Sequence, residues 1–225
     1  MQCKLMNIED TGMYELAVCN WLFFKRPSEN SKDFQTAFTV FGNHLSVLYN
    51  FSNKSGLPAM QYTVSQAVRQ DLPAIVAIYN SAVETRQSTA DLAPVGTQDR
   101  QAWFEAHTGD RPLYVLKNQT GEVLAWGSFS DYYPRRAYHI SAEISIYVRH
   151  DMRGAGMGKI LLRNMLERAP SLGIRNVLAV IFGHNHVSLR LFHSMGFQEW
   201  GRLPQVCDLG TFAADVVILG KKILD

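Results

Sequence analysis

Seven consecutive residues, Arg153-Gly154-Ala155-Gly156-Met157-Gly158-Lys159, concentrate the means to hold an anion. Glycines at alternate positions let the main chain turn where a Cβ would clash, so that successive N–H groups can converge on one concavity. The apolar periodicity that follows predicts a helix from about Met157 to Ala169, which would set the positive end of its dipole at the same place. Arg153 and Lys159 add mobile positive charge. Such a cradle suits a pyrophosphate. The spacing is not that of a Walker loop, because Arg153 holds the first glycine position and Ile160 follows the lysine. A dinucleotide fingerprint would need its third glycine one residue later. A glycine-rich turn without a ligand is the alternative.

Upstream, Glu143 interrupts an otherwise apolar and hydroxylic segment, Ile140-Ser-Ala-Glu-Ile-Ser-Ile-Tyr-Val148. A carboxylate among such neighbours is expected to have a raised pKa, as a base working near neutrality needs. Alternatively it is a strand-face carboxylate paired with Arg135 or Arg149. Two other stretches could bind a carboxylate through an arginine fork: Arg86 in Glu84-Thr-Arg-Gln-Ser88, and Arg135 in Asp131-Tyr-Tyr-Pro-Arg-Arg136, with Tyr132 and Tyr133 as walls. Both also read as solvated loops. His184, His186 and His193 have no acidic or thiol partner nearby in sequence, so no metal site is expected.

These groups must be positioned by elements that the punctuation from Met60 onward makes legible. Tyr62 to Val68 alternates and reads as a strand. Asp71 is a plausible cap, with Pro73 in the first turn, for a helix to about Glu84. Thr97 would cap a second helix through Trp103 and Phe104. Strands are expected at Leu113–Lys117, Glu122–Ser130 and Tyr138–Val148, and an apolar buried one at Asn176–Phe182. A helix over 185–195 closes on Gly196, and strands near Phe197–Val206 and Phe212–Lys221 finish the chain. The order predicts an α/β (α+β) domain, a mixed sheet flanked by helices, over residues 60–225. Residues 1–59 show no sustained period and end in the linker-like Asn53-Lys-Ser-Gly-Leu-Pro58. They read as an N-terminal extension, poorly ordered or upstream of the true start at Met60, or as a small regulatory or dimerising arm.

Composition narrows the function classes. With 47% hydrophobic residues the 225-residue chain can bury a core, which excludes a wholly disordered or low-complexity protein. Twenty-two basic against 20 acidic residues give no overall field toward nucleic acid or an anionic membrane. Cys3, Cys19 and Cys207 are too few and too scattered for a disulfide framework. The apolar run Leu16–Phe24 is broken by Asn20, preceded by acidic residues and shorter than the ~20 residues a span needs. A soluble, cytoplasmic protein with no membrane or nucleic-acid partner is expected.

Arg153-x-x-Gly156-x-Gly158 resembles the acyl-CoA signature of the GNAT superfamily of N-acyltransferases, and the element order is similar to that fold over about residues 61–222. Ile78–Thr85, Ala142–Val148 and Asn185–Phe197 resemble its phosphinothricin and amino-acid N-acetyltransferase branch. The resemblance implies that the strand ending near Val148 splays from strand 176–182. The pantetheine arm of acetyl-CoA would then pair through Ile146, Tyr147 and Val148, and amides of Gly154, Ala155, Gly156, Met157, Gly158 and Lys159 would hold its pyrophosphate beside Arg153. Asn185 matches a family position that binds CoA, with Ser188 a further candidate; Asn185 also reads as an ordinary helix cap.

The resemblance places the branch's general base at Glu143. It implies acetyl transfer from acetyl-CoA, the co-substrate, to the primary amine of a small molecule such as an amino acid, phosphinothricin or methionine sulfoximine, in a homodimer. Alternative acceptors are a protein N-terminus or a polyamine, and the rival class is a non-catalytic CoA-binding module. One departure concerns the leaving thiolate: where many members carry a tyrosine acid, Leu191-Phe192-His193-Ser-Met-Gly-Phe197 has Phe192.

Overall fold

The computed structural model describes residues 34–41, 44–51, 60–107 and 109–224, with side chains from residue 61 onward. Its framework is one sheet. The seven strands that follow residue 59 are β3 (Met60–Gln66), β4 (Leu113–Lys117), β5 (Val123–Asp131), β6 (Ser141–Val148), β7 (Asn176–Phe182), β8 (Gln198–Asp208) and β9 (Ala213–Lys222). Before them the backbone sets β1 (Phe34–Phe41) antiparallel to β2 (His44–Phe51), and β2 antiparallel to β3. No periodicity in the sequence announced those two strands. The rest of the expected extension, residues 1–33, 42–43 and 52–59, lies outside the described residues.

The sheet order is β1-β2-β3-β4-β5-β6-β7-β9-β8, antiparallel throughout except where β6 and β7 run parallel. Helices cover both faces. α1 (Leu72–Val83) and the short α2 (Gln101–Ala106) lie on one, where Ile75 and Ile78 pack with Leu113, Val115, Val123 and Trp126. α3 (Met157–Arg168) lies on the other, with Ile160, Leu161 and Met165 buried against Leu124, Phe129 and Ile144. Gly127 lets α3 come this close. A Cβ there would stand 2.7 Å from Met165 Sδ and 2.9 Å from the Ser145 carbonyl oxygen, below any ordinary contact. α4 (His186–Ser194) follows β7 and buries Phe192 edge-on against Phe197.

Among the differences from the sequence reading, three have a visible cause. β6 begins at Ser141 rather than Tyr138, because Tyr138 and His139 donate to the carbonyls of Arg135 and Arg136 in a 3-10 turn. The carbonyl of His139 then accepts from Arg111 Nη2 (2.6 Å), which leaves it outside the ladder. α2 starts at Gln101, after a turn in which Gln101 N–H donates to Gln98, so Thr97 does not cap it. Asp71 stands at the entry to α1, but its carboxylate accepts from Val68 N–H and pairs with Lys117 Nζ at 2.6 Å. It fastens the helix entry to β4 instead of capping the helix.

Candidate active site

β6 pairs with β5 from Ala142 to Val148 but with β7 only from Ser141 to Glu143, opposite Asn176 to Leu178. Beyond that rung the two strands part. The alternation of an antiparallel ladder decides which backbone groups are left over. Arg149 N–H donates to Leu124 O at 2.9 Å, so odd-numbered residues of β6 bond β5 and Ile144, Ile146 and Val148 turn theirs toward β7. On β7, Gly183 N–H donates to Asp215 O at 2.8 Å, which by the same logic turns Val180 and Phe182 toward β6. Between them opens a cleft of about 270 Å³, lined also by Ser88, Thr89, Asn185 and Ser188. A polar chain laid there would find donors and acceptors on both sides.

β6 ends at Val148, and the glycine-rich turn follows it before α3. Gly154 (φ 79°) and Gly156 (φ 83°) both adopt the left-handed conformation, and Gly156 is the N-cap of α3. Chain neighbours apart, no atom lies within 4 Å of where their Cβ atoms would be, so the left-handed backbone and not crowding calls for glycine here. Among the described residues no backbone acceptor meets the N–H groups of Gly154, Gly156, Met157 or Gly158. Unpaired amides at and just before a helix N-terminus are groups of the kind that bind anions. Arg153 and Lys159 are exposed beside it, whereas the Met157 side chain is core. Gly158 has a different reason: its Cβ would press on Leu191 Cδ2 at 3.2 Å, where α3 meets α4.

Glu143 occupies the vertex of the splay. It is half-buried, makes no hydrogen bond or ion pair with a described residue, and burial pushes its carboxyl above the ordinary 4.5. Both arginines that could have neutralised it are engaged elsewhere. Arg149 pairs with Glu122 and Asp151, and Arg135 lies over the Tyr133 ring. Glu143 borders the cleft, and its cross-strand neighbour Ser130 borders a second cavity of about 170 Å³.

That second cavity lies on the α1 and α2 side of the sheet. Tyr79, Trp103, Trp126 and Tyr147 wall it, Trp126 and Tyr147 being stacked at 4.5 Å. Ser128, Ser130, Ser145 and Arg100 supply its polar groups. Burial raises the Tyr147 hydroxyl pKa, and that hydroxyl donates to Ser88 O at 3.1 Å. Loop 85–92 thereby borders the cleft through Ser88, Thr89 and Ala90 and is tied to a wall of the second cavity through Tyr147. Asn185 Nδ2 donates to Gln87 O (2.8 Å) and Ser88 Oγ (3.2 Å), while its Oδ1 accepts from Ser188 N–H. Tyr79 OH and Arg100 Nη2 both donate to Asp91 Oδ2, at 2.6 and 2.7 Å.

The residues expected to act together are therefore sorted by the fold. Ile146 and Tyr147 line the cleft with Glu143, while Val148 ends β6 and the turn before α3 stands outside that lining. Asn185 and Ser188 border that cleft, but the Asn185 amide is occupied in tying α4 to the loop. Arg86, at φ 53°, donates to the carbonyls of Asp91 and Leu92 and stands in neither cavity lining. Tyr132, Tyr133 and Arg135 form a surface cluster with Tyr138, also outside both linings. The arginine that does reach a cavity, Arg100, was not singled out. Its i, i+3 spacing to Trp103, whose ring its guanidinium approaches at 5.7 Å, is the signal that could have found it. His184 and His193 bond the carbonyls of Arg86 and Phe197, and no group of three potential metal ligands occurs among the described residues.

Residues 75–197 match the acetyltransferase (GNAT) family. The Bacillus subtilis (strain 168) protein YwnH, provisionally named a phosphinothricin acetyltransferase, is 47% identical over 72% of this chain and 99% of its own length. The L-methionine sulfoximine/L-methionine sulfone acetyltransferase of Pseudomonas paraeruginosa (strain DSM 24068 / PA7) is 38% identical over 65% of this chain and 86% of its own. Among solved structures, a GNAT superfamily phosphinothricin acetyltransferase from Sinorhizobium meliloti in complex with AcCoA superposes with a TM-score of 0.69. It is 29% identical, covering 72% of this chain and 89% of that one. With the splayed strands, the amide cradle and these likenesses together, the chain belongs to the GNAT family and is an acetyl-CoA-dependent N-acetyltransferase.

Proposed function

We propose that the protein acetylates the primary amine of an amino acid or analogue, such as phosphinothricin or methionine sulfoximine, with Glu143 as general base. The observation that carries the reading is the unpaired carboxylate at the vertex between the two cavities. The backbone supports the co-substrate's place. Unpaired groups of Ile146 and Val148 suit an amide-bearing chain, and the free amides of 154–158 suit a diphosphate. Acetyl-CoA, when bound, supplies an acyl group already activated as a thioester.

The remaining tasks fall to the chain itself. An amino-acid ammonium has a pKa of ~8 or above, and only the neutral amine attacks, so a proton must be removed first. Glu143, raised by burial and free of a cationic partner, accepts it directly or through one water. The Ile146 N–H, turned into the gap, is the donor placed to polarise the acyl carbonyl. Phe192 cannot protonate the leaving sulfur, and a thiol of pKa ~8.5 needs little help.

Within the acetyltransferases, a polyamine acceptor would call for acidic walls. The second cavity offers Arg100 and serine hydroxyls instead, which favours an acceptor carrying oxygens. Among the described residues no helix is long and apolar enough to cross a membrane; the same reading takes the enzyme as cytoplasmic and homodimeric. The test is thiol release from acetyl-CoA with a panel of amino acids, their oxidised analogues, polyamines and peptides. Turnover is expected with the amino-acid class, and turnover confined to polyamines or peptides would overturn the reading.

A further inference from the structure

Asp91 borders neither cavity, yet three of the side chains it bonds do. Tyr79 and Arg100, which wall the second cavity, donate to one oxygen, Oδ2, at 2.6 and 2.7 Å. Thr89, which walls the cleft, accepts from Asp91 N–H at 3.2 Å, and its Oγ1 lies 2.6 Å from Tyr79 OH. The proton count fixes the direction of these bonds. Tyr79 has one hydroxyl proton and gives it to the carboxylate, so the Thr89 hydroxyl donates to Tyr79. Burial first, then that carboxylate, raises the Tyr79 hydroxyl above its ordinary 10, which keeps it a donor. The result is a closed ring: Asp91 N–H to Thr89, Thr89 to Tyr79, and Tyr79 back to Asp91. Arg100 joins it at the same oxygen, with its guanidinium 4.8 Å from the Tyr79 ring.

We infer that Asp91 is a positioning residue for the acetyl transfer, acting through Tyr79, Arg100 and Thr89 to hold the walls of the cleft and of the second cavity in one arrangement. The inference rests on the acetyl-transfer reading, which puts one substrate on each side of this ring. A ligand in the cleft that moves Thr89 moves Tyr79 with it, and Tyr79 shares Oδ2 with Arg100. A second tie runs parallel: Tyr147, which lines both cavities, donates to the carbonyl of Ser88, next to Thr89. Stability alone gives a poor account of the arrangement. The Asp91 side chain is 41% exposed, where solvent screens an ion pair. What it supplies is geometry, since a planar guanidinium and a phenol are anchored at a single atom by charge-assisted bonds. Ordering of the cleft wall therefore orders the acceptor's wall, and linkage makes the effect reciprocal.

The test combines calorimetry and kinetics on the wild type, Asp91→Ala, Asp91→Asn and Thr89→Val. The acceptor is the amino acid or analogue of highest kcat/KM in the panel, methionine sulfone being assayed first. Its Kd is measured with and without CoA, the product, which fills the donor side without reacting. In the wild type CoA is expected to tighten acceptor binding by about fivefold or more, the lower range of coupling between sites. Asp91→Ala and Thr89→Val should each bring that factor below about twofold, and Asp91→Ala should also raise the acceptor KM by about tenfold. Asp91→Asn keeps an acceptor for Tyr79 and should recover most of that KM. A merely structural role would lower the active fraction, hence the apparent kcat, and move neither KM nor the coupling factor. No tightening in the wild type, or one factor shared by wild type, Asp91→Ala and Thr89→Val, overturns the role of Asp91 while acetyl transfer stands. A wild type that acetylates no amino acid or analogue overturns the acetyl-transfer reading and this role with it.

Discussion

Glu143 faces Leu178 across the last rung that β6 and β7 share, so the carboxylate stands where the sheet opens. Two consequences meet at that point. The backbone beyond it is free to bind a ligand, and the side chain is drawn out of bulk water by the walls of the opening. On the proposed reading, one topological event both raises this carboxyl and sets it at the mouth of the opening.

Replacing Glu143 by Gln keeps the shape of the vertex and removes the proton acceptor. Turnover is expected to fall by ~10²–10⁴, the range for loss of a general base, while the affinity for acetyl-CoA, measured calorimetrically, stays within about twofold. The wild-type kcat/KM should rise with pH through an acidic limb placed above the ordinary carboxylate range, because burial raises the Glu143 pKa and the ionised form is the active one. That limb should vanish in the variant. A variant that turns over at the wild-type rate refutes Glu143 as the base.

The same shift has a stability counterpart of opposite sign to a salt-bridged carboxylate. A folded pKa above the unfolded one means that the native state binds the proton more tightly, so the contribution favours folding at low pH. It is lost as pH rises from the unfolded value through the raised folded one. Above that window the ionised, desolvated carboxylate destabilises the fold. Glu143→Gln should therefore melt higher than the wild type at pH 8, with the gap closing near pH 4. A variant melting lower at pH 8 would show that Glu143 has a stabilising partner.

Much of this site was legible before any coordinates. The left-handed turns at Gly154 and Gly156 need glycine and leave backbone amides unpaired before α3, and Glu143 stood out because nothing else on its strand is charged. Asn176–Phe182 and Leu113–Lys117 were exact, since short buried strands announce themselves by composition. Arg100, Ser128 and Tyr79 were not legible as a set. They sit on a loop, a strand and a helix far apart in sequence, and only the packing of α1 and α2 against β5 brings them to one cavity. Arg86 and the tyrosines at 132 and 133 were singled out by residue type and stand outside both cavity linings. Residue type suggested recognition, but an arginine can equally serve its own loop, as Arg86 does with Asp91 and Leu92.

The glycines of the cradle should separate by variant. Gly156→Ala forces an L-residue to φ 83°, at a cost of about 1–2 kcal/mol, and tilts the amides that follow it. Stability and KM for acetyl-CoA should both worsen, the latter by about tenfold or more. Gly158→Ala meets only the mobile tip of Leu191 at 3.2 Å and keeps ordinary helical dihedrals. It should be tolerated in stability, since alanine is the better helix former. Equal tolerance of both substitutions in acetyl-CoA kinetics would mean that these amides do not hold the diphosphate.

Asn185 tests whether loop 85–92 is part of the machine or a bystander. Its Oδ1 caps α4 through Ser188 N–H, and its Nδ2 holds Gln87 and Ser88. Asn185→Asp keeps the cap acceptor but deletes both donors, whereas Asn185→Ala deletes everything. The alanine variant should lose about 2–3 kcal/mol, the cap and the loop bonds together, and the aspartate variant about 1–2. Both should speed amide exchange over residues 86–91, measured by mass spectrometry, because the loop bordering the cleft is released. If the loop positions both substrates, KM should rise for acetyl-CoA and for the acceptor together. A rise for acetyl-CoA alone, with the loop still protected from exchange, would instead identify Asn185 as a direct contact of the nucleotide-bearing substrate.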